Sequence, residues 1–184
     1  GLPVEYDSGQ YIRALEMVAE HIDLDAFAAE QKAALAEGRY LGLGLGYYVE
    51  GTGLGPYEGS HIRIHPITGK VYASTGLTNQ GQGHETIYKQ IVGERLGLGP
   101  DDMRVVDGDT DRVAYGMGTM GSRSTVIGGS ALYFAADKII EKGKRIAAHM
   151  MEAAEGDIEY AGGKFSVAGT DKSLDIAEVA RTAF

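Results

Sequence analysis

The sequence predicts an α+β fold, a mixed sheet with packed helices. Two observations carry this. Apolar residues recur with a helical period in some stretches and alternate with period two in others. The order is helices, strands, helix, strand, long helix, hairpin and helix, not a regular strand–helix alternation.

Tyr11 to Glu37 reads as helix. Ile12, Leu15, Val18, Ala19 and Ile22 fall at helical spacing, and Phe27, Gln31 and Ala34 share a second face. Asp23 or Asp25 is the expected N-cap between the two helices, and Gly38 the expected stop. Arg39 to Gly51 switches to period two. Leu41, Leu43, Leu45, Tyr47 and Val49 lie opposite Gly42, Gly44 and Gly46, which predicts a strand with a bare face. "HIRIHPITGKVYASTGL" reads as two strands joined by a turn at Pro66-Ile67-Thr68-Gly69.

A glycine-rich bend, Gln80-Gly81-Gln82-Gly83, then opens a helix near Gly83–His84. Ile87, Tyr88, Ile91, Val92 and Leu96 form its apolar side. "MRVVDGDTD" is a short strand and turn. A long helix follows from about Ser124 to Ala154, with Ser124 as its candidate N-cap. "DIEYAGGKFSV" reads as a hairpin at Gly162-Gly163, and "LDIAEVARTAF" as a last short helix.

With 184 residues, 17 basic and 26 acidic, the net charge is −9. That disfavours a general nucleic-acid binder, which needs a basic face. It leaves room for one phosphorylated small ligand, because backbone N–H groups hold phosphate without cationic side chains. Cysteine is absent, so no disulfide, thiolate-bound zinc or iron–sulfur cluster is expected on this chain. No apolar run is long enough for a membrane span, no signal peptide is visible, and the expected location is cytoplasmic. The first residue is Gly1 rather than Met, as expected of a processed or excised piece.

Fifteen of the 28 glycines cluster in three places, Gly42–Gly59, Gly76–Gly83 and Gly116–Gly129. In the second cluster, the first N–H groups of the following helix lack intrahelical partners and attract anions. Gly81 and Gly83 would admit a ligand to the backbone, and Gln80 and Gln82 offer amide donors and acceptors. An ordinary tight turn with solvated glutamines explains the motif as well. His84 and Thr86 would be helix-start residues on that reading. In the third cluster, Gly116-Met117-Gly118-Thr119-Met120-Gly121 spells GxGxxG, but no buried strand precedes it, so the dinucleotide fingerprint is rejected. No GK[ST] follows either bend, which removes a P-loop. Ser122, Ser124 and Thr125 are short hydroxyl groups, and Arg123 suits either a phosphate or a nearby acid. Gly128-Gly129 weakens a helix start, as expected where a ligand or another helix comes close.

Taken together, "TGLTNQGQGHETIYKQIVGERLG", "VVDGDTDRVAYGMGTMGSRST", "VEYDSGQY" and "EGRYLGLGLGYYVEGTGLGPYE" resemble the molybdopterin-binding large subunit of the molybdenum hydroxylases. That family includes xanthine dehydrogenase, aldehyde oxidase and aerobic carbon monoxide dehydrogenase, and the last branch is the one most resembled.

The resemblance implies part of a molybdenum-cofactor-binding domain. It divides the chain into a helical lead-in (1–38), a cofactor-binding core (39–156), and a small hairpin and helix (157–184). Gly81-Gln82-Gly83 and Gly121-Ser122-Arg123-Ser124 would hold the pterin, with Gln80, His84, Thr86, Thr119 and Thr125 as softer carry-overs. The parent would be a molybdenum-dependent oxidoreductase, with FAD and [2Fe–2S] clusters on partner chains or domains, a small-molecule substrate and an oligomeric assembly. The family's base glutamate motif, its GGxFG segment and its cysteine-bearing loop find no match here. No catalytic or metal-ligating residue is therefore expected on this chain, and the isolated chain is expected to be inactive. Two other readings compete: a non-redox binding module for a phosphorylated small molecule, and a structural domain whose glycines only pack helices.

Overall fold

A computed structural model describes residues 5–6 and 8–183. The chain divides into two compact units, Gly1–Val49 and Glu50–Phe184.

The first unit holds α1 (Tyr11–Ile22) and α2 (Leu24–Ala36). Asp23 separates them in a left-handed conformation (φ 53°), and its carboxylate caps α2 by accepting from Ala26 N. Gly38 follows α2 at φ 77°, as expected for a helix stop. Of these helices only Ala34 is buried. The stretch predicted as a strand, Arg39–Gly51, is not one: no part of it joins a sheet. It is tied down by side chains instead. The Gln31 amide donates to Leu41 O (2.8 Å) and the Tyr47 hydroxyl to Tyr11 O (2.6 Å). A strand needs a neighbour for its backbone groups, and the described residues supply none.

The second unit contains two three-stranded sheets. In the first, β1 (Ser60–Ile64) pairs antiparallel with β2 (Val71–Thr75) through the expected turn, and β2 pairs parallel with β3 (Met103–Asp107). The crossover between β2 and β3 is α3 (His84–Leu96). The long helix α4 (Gly129–Met151) begins later than expected. Ser124–Gly128 forms a π-turn before it, and Ser124 does not cap it. The second sheet is antiparallel, β4 (Ile158–Ala161), β5 (Lys164–Val167) and β6 (Ser173–Asp175), and leads into α5 (Ile176–Thr182). Sequence reading placed the β4–β5 hairpin and missed β6, which is too short to show a period.

One core joins these pieces. Ile62, Val71, Tyr88, Val92, Leu96, Leu132, Ala136, Phe165 and Val179 are all buried in it. The lipophilic face of α4 covers both sheets, and Gly143 lets the Phe165 ring lie directly on the helix backbone. Gly128 and Gly129 serve the same purpose. A Cβ on Gly128 would collide with Leu77, and one on Gly129 would sit 2.7 Å from Ile91 Cδ1. Packing of the α4 start against α3 and the end of β2 thus explains this glycine pair, without a ligand.

Candidate functional site

Parallel neighbours send their carboxyl ends to the same edge of a sheet, and crevices form there. Thr75 of β2 is in register with Asp107 of β3. The segments that leave these two residues therefore emerge side by side. One is the bend 76–83 into α3, and the other is the loop 108–123 into the π-turn. This is why two glycine-rich stretches distant in sequence meet.

Side chains stitch the two segments together. Asn79 N donates to Asp107 Oδ2 (2.6 Å), and Thr119 Oγ1 donates to Thr78 O (2.7 Å). Ser124 Oγ donates to Thr119 Oγ1 (3.3 Å), and the Tyr88 hydroxyl reaches Ser124 O (3.2 Å). Burial pushes the Tyr88 phenol up to about 12, so it is neutral and a donor at ordinary pH.

The first bend is shaped by its own amides. Asn79 Oδ1 accepts from Gly81 N (3.1 Å) and Gln82 N (3.2 Å), an Asx-type turn. Gln82 Oε1 accepts from Gln80 N (2.6 Å), and Gln82 Nε2 donates to Gln80 Oε1 (3.2 Å). Gly81 (φ 102°) and Gly83 (φ 78°) are left-handed and open: a Cβ at either would meet nothing within 4 Å. The helix start has no side-chain cap. Glu85, in the first turn, is exposed, and a hydrogen bond from Lys89 (2.8 Å) lowers its carboxyl below the usual range.

The second bend is clamped by a buried ion pair. Arg123 and Glu58 are both fully buried at their side chains, with Nη1 2.5 Å from Glu58 Oε2. The remaining guanidinium donors go to Leu54 O (2.7 Å), Tyr57 O (2.6 Å) and Gly118 O (2.8 Å). Glu58 also accepts from Met117 N (3.2 Å) and Gly59 N (3.1 Å). Beside this clamp, Gly76 and Gly116 touch backbone to backbone, a Cβ on Gly76 falling 2.5 Å from Gly116 Cα. Ser122 is left-handed (φ 49°), a strained conformation for a residue with a Cβ. Its hydroxyl donates to Glu50 Oε1 (3.2 Å).

Between the bends lies a polar hollow of about 420 Å³. Among the residues singled out from sequence, Gln80, Gln82, His84, Thr119, Gly121, Ser122, Ser124 and Thr125 line it, together with Ile87 and Met120. Gly81 and Gly83 shape the bend without lining the hollow, and Thr86 points elsewhere as an exposed residue of α3. Arg123 lies behind the wall with its guanidinium committed to protein groups, so it acts on the hollow by holding Gly118 and the 54–58 segment in place. His84 is 4% exposed and its Nδ1 is buried with no hydrogen-bond partner. A buried polar atom without a partner is costly and marks a place where a ligand or water completes the bonding. Asn79, Glu58, Tyr88 and Asp107 were not singled out from sequence. Their roles across the site show only in contacts between residues 28 to 65 positions apart.

Comparison with known proteins agrees with this architecture. Residues 17–184 match the model of the molybdopterin cofactor-binding domain. The carbon monoxide dehydrogenase large chain of Hydrogenophaga pseudoflava is 40% identical over 98% of this chain and 24% of its own length. The gamma subunit of the 6-hydroxypseudooxynicotine dehydrogenase complex of Paenarthrobacter nicotinovorans is 36% identical over 97% of this chain and 22% of its own. A crystal structure of Cu,Mo-CO dehydrogenase superposes with a TM-score of 0.69 at 40% identity, covering 98% of this chain and 25% of that one. Quinoline 2-oxidoreductase from Pseudomonas putida 86 does so with 0.65 at 36% identity, covering 97% and 24%. The chain thus spans about a quarter of these relatives. From the match over residues 17–184 and the identities above 30%, the chain belongs to the molybdopterin cofactor-binding domain family.

Proposed function

We propose that this chain is the segment of a molybdenum hydroxylase large subunit that grips the pterin-bound molybdenum cofactor. The observation that carries this is the polar hollow between two bends at one sheet edge, lined by Gln80, Gln82, His84, Ser122, Ser124 and Thr125. The donors there fit such a group. The N–H groups at the start of α3 suit its phosphate. The Gln80 and Gln82 amides, now bonded to each other, can exchange that bond for the edge of a polar heterocycle. The hydroxyls of Ser122, Ser124 and Thr125 complete the opposite wall.

When bound, the molybdenum centre would supply the two-electron acceptor for oxidation of a small substrate. This chain's residues bind and orient; none is proposed as the base. In the intact cytoplasmic enzyme, FAD and [2Fe–2S] clusters on partner chains or domains carry the electrons away, and the assembly is oligomeric. Relatives named for carbon monoxide and for 6-hydroxypseudooxynicotine support the reaction class.

The test is metal and pterin analysis of the full-length parent protein, its Gln82→Ala variant and its Ser122→Ala variant. Wild type should carry both components in near-equal amounts. Each variant should lose cofactor severalfold while keeping the secondary structure of the wild type by circular dichroism, with any fall in thermal midpoint no larger than that of cofactor-free wild type. Undiminished content in both variants would sink the reading. Release of a nucleotide in place of a pterin would favour a phosphoryl-ligand binding module instead.

A further inference from the structure

The bend before α3 is not held by packing at its glycines. Gly81 (φ 102°) and Gly83 (φ 78°) are left-handed, and a Cβ built on either would meet no described atom within 4 Å. Glycine has more backbone freedom than any other residue, so hydrogen bonds must fix such a bend. They come from two sources. One is the pair of glutamines: Gln82 Oε1 accepts from Gln80 N (2.6 Å), and Gln82 Nε2 donates to Gln80 Oε1 (3.2 Å). Both side chains line the hollow, so a ligand there competes for the same groups. The other is Asn79, whose Oδ1 accepts from Gly81 N (3.1 Å) and Gln82 N (3.2 Å).

Asn79 and Asp107 lie outside the lining of the hollow. Asp107 ends β3 in register with Thr75, and its Oδ2 accepts from Asn79 N (2.6 Å). The preceding carbonyl, Thr78 O, accepts from Thr119 Oγ1 (2.7 Å). Asn79 is thus tied to the sheet through its own N–H, and its side chain holds two amides of the bend. A ligand that takes the amides of Gln80 and Gln82 leaves these three bonds in place.

We propose that Asn79 and Asp107 are positioning residues of the hollow. They keep the backbone of Gly81–Gly83 in its binding shape while the glutamine side chains change partners, and neither touches the cofactor. This rests on the function proposed above. A bend that is already fixed loses little freedom on binding, so its ligand is held more tightly and leaves more slowly.

The test uses the full-length parent protein, with molybdenum and pterin measured after timed incubation and removal of released cofactor by gel filtration. Asn79→Ala should release cofactor at least about tenfold faster than wild type, since fixing one backbone residue is worth about that factor. Asn79→Ser supplies a weaker acceptor for the same turn and should recover part of the difference. Asp107→Asn keeps an acceptor for Asn79 N and should hold cofactor longer than Asp107→Ala. An Asn79→Ala protein isolated empty beside a loaded Asn79→Ser protein is the same result. Amide exchange in cofactor-free full-length protein separates positioning from general destabilisation. The Gly81 and Gln82 amides should exchange severalfold faster in Asn79→Ala, with those of α3 and β2 unchanged. Unchanged exchange at Gly81 and Gln82, an equal rise in α3 and β2, or no recovery by Asn79→Ser would overturn the inference. Wild type that carries pterin, with Asn79→Ala holding it as firmly, removes the inference and leaves the proposed function standing. Wild type without pterin removes both.

Discussion

Glu58 and Arg123 form an ion pair with both side chains fully buried. Neither touches the hollow, yet together they fix the backbone on which Gly121 and Ser122 stand. Breaking a buried pair leaves a charge unpaired in a low dielectric and costs about 3–5 kcal/mol. Glu58→Ala should therefore lower the free energy of unfolding by about that amount in denaturant titration. Glu58→Gln keeps the shape and one acceptor and should cost less. From sequence, Arg123 offered two readings, a phosphate partner or a partner for an acid. The structure chooses the acid because Glu58, distant in the chain, meets it out of water.

Among the elements, α4 shows how glycine works by proximity. An exposed helical Gly→Ala change usually stabilises by about 1 kcal/mol. At Gly143 the added methyl would run into the Phe165 ring, which is fully buried and cannot swing away. Gly143→Ala should instead destabilise by about 1–3 kcal/mol, read as a lower thermal midpoint, and Phe165→Leu in the same background should recover part of the loss. The helix α3 was legible almost to the residue, since its start coincides with the bend at Gly83 and its apolar residues keep period. The start of α4 was not, because the π-turn at 124–128 follows from Ser124 and Gly128 being pinned by α3 and Leu77. The stretch 39–51 failed as a strand for the opposite reason: its pattern is that of a strand, but pairing needs a neighbour.

At the scale of the whole molecule, two half-buried or buried phenols couple folding to alkaline pH. Burial raises both Tyr88 and Tyr160 to about 12, against about 10 in the unfolded chain. A raised folded value means that the unfolded chain loses its proton first. The stabilisation is complete below about pH 10 and fades as pH rises toward 12. Stability measured across that window should fall, and the double variant Tyr88→Phe, Tyr160→Phe should show a flatter alkaline slope. Tyr88 hydrogen-bonds Ser124 O, so the same loss would loosen the wall of the hollow.

What the sequence determined by itself was local. Helical and alternating periods, glycines at turns and the capping Asp23 follow from forces between near neighbours, and they place most of the elements. The motifs in order also carried the family resemblance. What only the tertiary structure decided was adjacency. The parallel pairing of β2 with β3 brings the bend at Gln82 and the bend at Ser122 to one edge, turns Arg123 away toward Glu58, and leaves His84 Nδ1 buried without a partner. These depend on contacts between residues far apart in the chain, whose free energy resides in burial and pairing that no local pattern records.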